Sequence, residues 1–294
     1  MATSTTSPGG FFARRQTQRR VERFLAYFVV TVLAIGYAAP FLWMVSTSLK
    51  APSELDSIPP IWIPKVLQFQ NYPNSMLQPT RYFPLFYENT AIYVGLSVLG
   101  SLVSCTLVAY GFARIPFKGS KFLFTLVLST MMLPPQVLLI PQYLLFKQLG
   151  WLDSLLPLVV PHWFGSAFYI FLLRQFFMTI PRELDEAALV DGANRLDIFW
   201  RILLPLCRPI LITVFALTFV TQWNDFFGPL IYLNSQKNMV VATALRLFAM
   251  SQQALPIHLL MAASVTSVIP VIVLFLFAQR AFVRGITMTG MKEG

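Results

Sequence analysis

The sequence predicts an all-α membrane protein, a bundle of six transmembrane helices, and three observations carry that prediction. Hydrophobic residues make up 56% of the 294-residue chain and charged residues 12%, against about 25% charged in a soluble domain. Six apolar segments are each long enough to cross a bilayer, which takes about 20 residues. The basic residues are sorted to one side of those segments, as in membrane proteins whose basic loops stay in the cytoplasm.

The elements follow in chain order. Met1–Gly10 is rich in Ser, Thr, Gly and Pro and reads as disordered. Residues 1–23 together form a basic cytoplasmic tail, partly disordered. The first span is placed at Phe24–Ser46. Its apolar run exceeds the roughly 7–15 residues of a secretion signal, so it stays as an uncleaved helix despite the small residues Gly36 and Ala38. The external connection Thr47–Asn89 contains Ile58-Pro59-Pro60-Ile61-Trp62-Ile63-Pro64, an extended or interfacial strap with Trp62 at headgroup level. Further spans are placed at Thr90–Phe112, Phe122–Phe146, Leu155–Phe177, Pro209–Leu233 and Leu259–Phe282. Residues 24–282 are thus the transmembrane domain and 283–294 a cytoplasmic tail. Pro40, Pro134, Pro135, Pro141, Pro157, Pro161 and Pro270 lie in or at the edges of these spans. Each proline removes a backbone bond and bends its helix. The result is either kinked helices lining a moving pathway or ordinary membrane kinks.

Orientation comes from charge. Of the 22 Lys and Arg residues, 16 fall on one side. They are Arg14, Arg15, Arg19, Arg20 and Arg23 in the first tail, Arg114, Lys118 and Lys121 in the second connection, Arg174, Arg182, Arg195, Arg201 and Arg208 in the fourth, and Arg280, Arg284 and Lys292 at the end. Both termini and loop 178–208 are therefore placed in the cytoplasm. The net charge of +10 reads as topology and contact with anionic membrane lipid, with no nucleic acid as partner.

Loop 178–208 is the longest charged island between apolar segments. Pro181 suits the first turn of a helix, and Glu183, Asp185 and Glu186 favour its positive end. Ala187 and Ala188 keep one face shallow, and Gly192 can take the left-handed conformation that stops a helix. Asn194 or Asp197 begins a second short helix carrying Phe199, Ile202 and Leu203, before Pro205 and Pro209. The product is an amphipathic knob, either docking a soluble partner or solvated with none.

Glu186-Ala187-Ala188-Leu189-Val190-Asp191-Gly192, then nine residues, then Ile202-Leu203-Leu204-Pro205, resembles the cytoplasmic docking loop of bacterial ABC importer permeases. The likeness covers about residues 24–294 and is to the smaller permease subunit of maltose-type carbohydrate importers. Ser46-Thr47-Ser48-Leu49-Lys50, Asn71-Tyr72, Asn89-Thr90, Ala109-Tyr110-Gly111-Phe112-Ala113-Arg114, Trp223-Asn224-Asp225 and Gly285-Ile286-Thr287 with Gly290 carry it in order. The resemblance implies a six-helix permease of a bacterial inner membrane, forming half of a pathway for a sugar or sugar-like solute. It implies a second related permease as heterodimer partner, two ATPase subunits that bind ATP and Mg, and an external solute-binding protein. Glu183, Glu186, Ala187, Ala188, Asp191, Gly192, Ile202 and Pro205 would couple to the ATPase. The Arg14–Arg23 cluster is not required by the family, and the ending Met291-Lys292-Glu293-Gly294 departs from it.

Catalytic machinery is not visible. There is no G-x-x-x-x-G-K-[ST] to cradle phosphates and no H-E-x-x-H, and no hydrolytic motif. The chain is read as no enzyme, with no cofactor or metal of its own. His162 and His258 read as structural imidazoles, and Cys105 and Cys207 as unpaired. Asp225 is the one acidic residue set well inside an apolar span, where ionisable groups are costly and point to function. Gln222, Trp223, Asn224 and Asp225 offer amide, indole and carboxylate to a sugar. Alternatively Asp225 bonds backbone or a neighbouring helix. An ion-gradient-driven secondary transporter is the other function class, and it would be expected to show internal repeats or several buried charges. Neither is clear here.

The topology is directly testable. Cysteines replacing Ser57, Ser154 and Ser235 should react with an impermeant thiol reagent in intact cells, and those replacing Ser120 and Asn194 should not. Labelling at Asn194 would invert the assignment.

Overall fold

The computed structural model describes the backbone of residues 9–78, 81–250 and 256–290, and the side chains of residues 20–77, 82–250 and 256–279. Outside the described residues lie Met1–Pro8 and Met291–Gly294, and the side chains of Arg14, Arg15, Arg19, Arg81, Arg280, Arg284, Ile286 and Thr287. Two compact units divide the chain, Met1–Tyr72 with Pro256–Val265, and Pro73–Leu255 with Thr266–Gly294.

In the first unit, helix α1 (Gly9–Ser48) passes through Pro40. It begins at Gly9, within residues 1–23, the segment expected as a basic, partly disordered tail. Its Arg, Gln and Glu residues are good helix formers. Arg20–Ser48 is apolar enough to span, and its 29 residues extend about 43 Å. Beyond a 3-10 turn at Pro52–Glu54, the strap folds back on the end of α1. Asn71 Nδ2 donates to the carbonyls of Ser48 and Lys50, both at 2.9 Å. Ser48 Oγ bonds Tyr72 Oη at 2.9 Å. The Lys50 ammonium sits 3.8 Å from the Trp43 ring centroid, and Trp62 meets Trp43 edge-on at 5.0 Å.

Helix α2 (Asn71–Met76) leads to a two-residue antiparallel ribbon, β1 (Leu77–Gln78) with β2 (Arg81–Tyr82), in which Leu77 faces Tyr82. Helix α3 (Phe83–Arg114) then runs unbroken for 32 residues, starting before the expected Thr90. It is the axis of the second unit. Helices α4 (Ser120–Ser129) and α5 (Pro135–Gln148) stand where a continuous span Phe122–Phe146 was expected. They are bent by 96°, because Leu133 and Pro134 each precede a proline and take extended backbone. Helix α6 (Leu156–Val159), a 3-10 turn and α7 (Ala167–Thr179) make the next span.

After the loop following α7, helix α8 (Glu183–Val190) and α9 (Arg195–Asp197) are followed by a π-helix at Ile198–Leu203 and by α10 (Leu204–Leu206). Helix α11 (Arg208–Trp223) stops inside the expected span Pro209–Leu233, which resumes as α12 (Phe227–Tyr232). Helices α13 (Val241–Met250) and α14 (Ile257–Gly290), with Pro270 inside, complete the chain. Among the described residues four stretches can cross a membrane singly, or up to six if each bent pair counts as one span.

One core cluster of the second unit joins Cys105, Ala109, Leu173, Phe177, Phe199 and Leu203. The other joins Tyr93, Val98, Phe146, Leu158, Tyr232 and Val240. Beside the latter, short loops are cross-tied. Asn89 Nδ2 donates to the carbonyls of Lys237 (2.8 Å) and Met239 (2.9 Å). Thr90 Oγ1 accepts the Val241 N–H at 2.9 Å. Asp153, at φ 59°, accepts at Oδ1 from Ser235 N (2.8 Å), Ser235 Oγ (2.9 Å) and Asn234 N (3.0 Å). These donors, the Ser235 N–H foremost, hold its carboxyl well below the usual carboxylate range.

A carboxyl whose folded pKa is depressed stabilises the fold above its unfolded value, and loses that effect as pH falls through the folded one. Asp153→Ala should therefore lower the melting temperature and expose residues 234–238 to protease at neutral pH. The gap between parent and variant should shrink as pH drops below about 4. A gap independent of pH would assign the loss to packing.

Candidate functional site

The loop after α7 is built as a knob. Helix α8 starts after Arg182, whose carbonyl accepts from Asp185 (2.9 Å) and Glu186 (3.1 Å). Pro181 lies before this capping residue and outside the first turn where it was expected. Glu183, Asp185 and Glu186 do occupy the first turn. The helix ends in a two-bond C-terminal cap. Ala193 N–H bonds the Ala188 carbonyl at 2.9 Å and Gly192 N–H that of Leu189 at 3.1 Å. This pairing requires a left-handed residue between, and Gly192 has φ +85°. A Cβ there would meet open space, so within this chain a side chain costs only the left-handed backbone, about 1–2 kcal/mol. Asn194 then caps α9, accepting from Leu196 and Asp197 N–H at 2.9 Å, while Asp197 returns a bond to Asn194 N. Pro205 has no N–H for the carbonyl of Arg201, and the turn ahead of it is a π-helix. A 75° bend then joins the knob directly to α11.

A buried ion pair fixes the knob to the bundle. Arg114, last residue of α3, is 4% exposed, and its Nη1 lies 3.2 Å from Asp185 Oδ2. Its Nη2 donates to the carbonyls of Phe177 and Ile180, both at 2.8 Å. One planar guanidinium thus joins α3, the carbonyl end of α7 and the first turn of α8. Tyr110 Oη adds a bond to the Arg195 carbonyl at 2.9 Å, and its ring packs on Phe199 at 4.9 Å.

The predicted coupling residues divide by burial. Glu183, Glu186, Ala187, Asp191, Gly192 and Pro205 are exposed. Ala188 is buried in the chain's own core and Ile202 packs against that core, so these two anchor the knob rather than face outward. Ala188 lies three residues after Asp185, on the side of α8 that the ion pair with Arg114 turns inward. Sequence reasoning missed the apolar residues left outside, notably Val190 (88% exposed) and Leu196 (64%), with Leu184 and Leu189. It also read Arg114 as a topology charge within a family motif, with no partner assigned, and Asp185 only as a helix-end charge. The available signal was a single arginine at the end of a long apolar run, facing a loop whose first helical turn holds three carboxylates.

The second group lies at the break between α11 and α12, where the structure commits its polar atoms to protein partners. Tyr93 Oη on α3 bonds both Gln222 and, at 2.9 Å, Asp225 Oδ2. A phenol has one proton, so the cluster is consistent when the Gln222 amide NH2 faces Tyr93 and Tyr93 donates to Asp225. Asp225 Oδ1 accepts the Gly228 N–H at 3.2 Å. Trp223 Nε1 donates to the Ser267 carbonyl on α14 at 3.0 Å. Asn224 Nδ2 returns to the Val220 carbonyl at 2.8 Å. Trp223 stacks on Phe219 with centroids 5.4 Å apart, and both rings line a groove of about 530 Å³ with Ala91, Gly95, Leu99 and Phe215.

Residues 103–288 match the family described as "Binding-protein-dependent transport system inner membrane component". The chain belongs to this family. It is 32% identical over 281 residues to the arabinooligosaccharides transport system permease protein AraQ of Bacillus subtilis (strain 168), covering 95% of this chain and 99% of that one. It is 30% identical over 274 residues to the trehalose/maltose transport system permease protein MalG of Thermococcus litoralis, covering 92% and 98%. It also resembles a chain in the crystal structure of a bacterial ABC transporter involved in the import of the acidic polysaccharide alginate. The TM-score is 0.81 at 23% identity, over 95% of this chain and 99% of that one. A second alginate transporter structure, in complex with an alginate pentasaccharide-bound periplasmic protein, matches with TM-score 0.62 at 18% identity, over 88% and 94%. The fold is that of an ABC importer permease. The secondary-transporter alternative finds no support in these relatives.

Removing one partner of a buried ion pair strands the other, at up to about 3–5 kcal/mol. Asp185 keeps some solvent contact, so the loss should lie toward the lower end. Arg114→Ala should lower the melting temperature in detergent and make residues 178–208 protease-sensitive. Arg114→Lys keeps the charge without the planar fork and should fall between. Equal stability of all three would show that the pair does not hold the knob.

Proposed function

We propose that this chain is the permease subunit of a binding-protein-dependent ABC importer for a sugar or sugar-like solute, coupled to ATPase subunits through α8. The observation that carries the reading is the outer surface of the knob. Val190, Leu196, Leu184 and Leu189 are exposed on the most charged loop of the chain. An apolar patch rimmed by charge marks a protein-binding surface. The Arg114–Asp185 pair gives that surface a rigid base, so force on it reaches α3, α7 and α11 together.

The assembly is a second related permease, two ATPase subunits that hold ATP and Mg, and an external solute-binding protein. The chain is a multi-pass protein of the bacterial inner membrane with both termini and the knob in the cytoplasm. It carries no catalytic site. Closure of the ATPase pair moves α8, and the ATPase must favour one permease state over the other for ATP to drive the change. The groove between α3 and α11 is this chain's half of the pathway, and the second permease supplies the rest. The sugar class is supported by the relatives' transport of arabinooligosaccharides, trehalose and maltose, and by the stacked rings of Phe219 and Trp223.

Gly192→Asp and Ala187→Arg add bulk where the structure leaves open space or an exposed small residue. Both should leave the chain in the membrane and abolish uptake, with loss of ATPase retention or of stimulated hydrolysis. The purified complex is assayed for subunits, hydrolysis and transport together. Parent-like values in all three for both variants would remove the coupling role.

A further inference from the structure

The break between α11 and α12 carries more ties than a helix kink needs. Beyond it, α12 runs into the cross-tied loops, with Ser235 on Asp153, Lys237 and Met239 on Asn89, and Val241 on Thr90. Before it, α11 is a rod of 16 residues, about 24 Å long, joined at its other end to the knob by the 75° bend. At the break itself, side chains tie the rod to α3, α12 and α14. Asp225 caps α12 through Gly228 N–H and takes the Tyr93 hydroxyl from α3. Trp223 donates to the Ser267 carbonyl, three residues before Pro270 interrupts α14.

Position 228 is fitted to this arrangement. A Cβ on Gly228 would lie 2.7 Å from Asp225 Oδ2 and 3.1 Å from Leu158 Cδ2, so any larger residue would displace the carboxylate. Both oxygens of Asp225 are engaged by protein donors, one on its own chain turn and one on the unbroken helix α3. That pattern suits a mechanical joint better than a hydrogen-bonding site for a passing sugar.

We propose that Asp225 and Tyr93 are positioning residues that form the outer pivot of α11. The knob moves the inner end of the rod, the cross-tied loops stay with α3, and the Tyr93–Asp225 bond keeps the swing centred on residues 224–226. This rests on the importer reading above, and it assigns Asp225 a role in motion rather than in solute contact.

The test uses the full complex in lipid nanodiscs, with spin labels on Leu217→Cys of α11 and Lys237→Cys of the loop. Both native cysteines are buried, which keeps labelling selective. Label distances are read with MgADP and with MgATP, and basal hydrolysis is measured without solute-binding protein. In the parent, the distance should change between the two nucleotides. Tyr93→Phe, which removes one oxygen, and Asp225→Asn, which keeps an acceptor for Gly228, should each broaden the distances into one overlapping distribution. Each should raise basal hydrolysis roughly fivefold, and the double variant should add little to either. Parent-like distances and basal rate in both variants would overturn the pivot, as would a fall in yield and hydrolysis together with no rise in basal rate. A parent complex that assembles and hydrolyses ATP without any distance change also overturns it, leaving the importer reading intact. A chain that retains no ATPase overturns both.

Discussion

A helix that stops inside a bilayer leaves amides and carbonyls that no water can reach. This chain stops or bends helices within its expected spans at Leu133–Pro134, at Gly165 and at Asn224–Phe226, and beside the knob at Cys207, so each break needs local partners. Helix α3 supplies many of them. Ser104 Oγ donates to the His162 carbonyl at 3.2 Å and Cys105 Sγ accepts the Ser166 N–H at 3.2 Å, on either side of Gly165. Tyr93 serves the break at residues 224–226, and Tyr110 and Arg114 serve the knob ahead of Cys207. Helix α3 can do this because it is itself continuous, with its one proline, Pro84, in the first turn, where a missing N–H costs nothing. Within the second unit, a continuous helix thus serves the breaks of its neighbours.

Two charged groups on this scaffold are handled differently. Arg114 is withdrawn from solvent, and its charge is met by a carboxylate and two carbonyls at once. The planar fork suits that task, since one group can address three segments without a rotamer change. Asp225 has no cation among its hydrogen-bond partners. It is stabilised by a phenol and a backbone amide, weaker donors that hold direction as much as charge. A charge-paired joint resists opening, while a hydrogen-bonded one permits rotation about its contacts. That difference matches a rigid base at the knob and a pivot at the far end of α11.

Much of the fold was legible because lipid imposes length and charge sorting on the sequence. The six apolar segments and the acidic first turn of α8 were read from residues alone, as was the stop at Gly192. The breaks within the third and fifth spans were not. Hydropathy averages over them, since Leu133-Pro134-Pro135 and the short polar stretch Thr221-Gln222-Trp223-Asn224-Asp225 each sit between longer apolar runs. The prolines at 134 and 135 announced a kink but not its 96° extent. Helix periodicity also could not say which alanine of the pair 187–188 faces inward, because that depends on a long-range contact, Asp185 with Arg114. The helix start at Gly9 was not legible, because the Ser/Thr/Gly/Pro-rich stretch Met1–Gly10 runs across it.

Three of the short motifs that carried the family resemblance have a common physical explanation. Ser48 and Lys50 are held by Asn71, and Ser48 by Tyr72. Asn89 and Thr90 hold the main chain of residues 237–241. Tyr110 and Arg114 hold the loop of residues 177–195. Each of these three is one side of a hydrogen-bonded contact whose other side is a second motif or bare backbone elsewhere in the chain. A donor such as Asn or Arg is uninformative alone, because many loops could receive it. Its meaning lies in the pairing, and pairing is fixed only when helix lengths bring both sides to the same depth in the membrane. The same logic separates Asp225 from an incidental buried acid. Its partners, Tyr93 and Gly228, come from an unbroken helix and a position where a Cβ would displace the carboxylate, so the carboxylate is located from both sides of the break it spans.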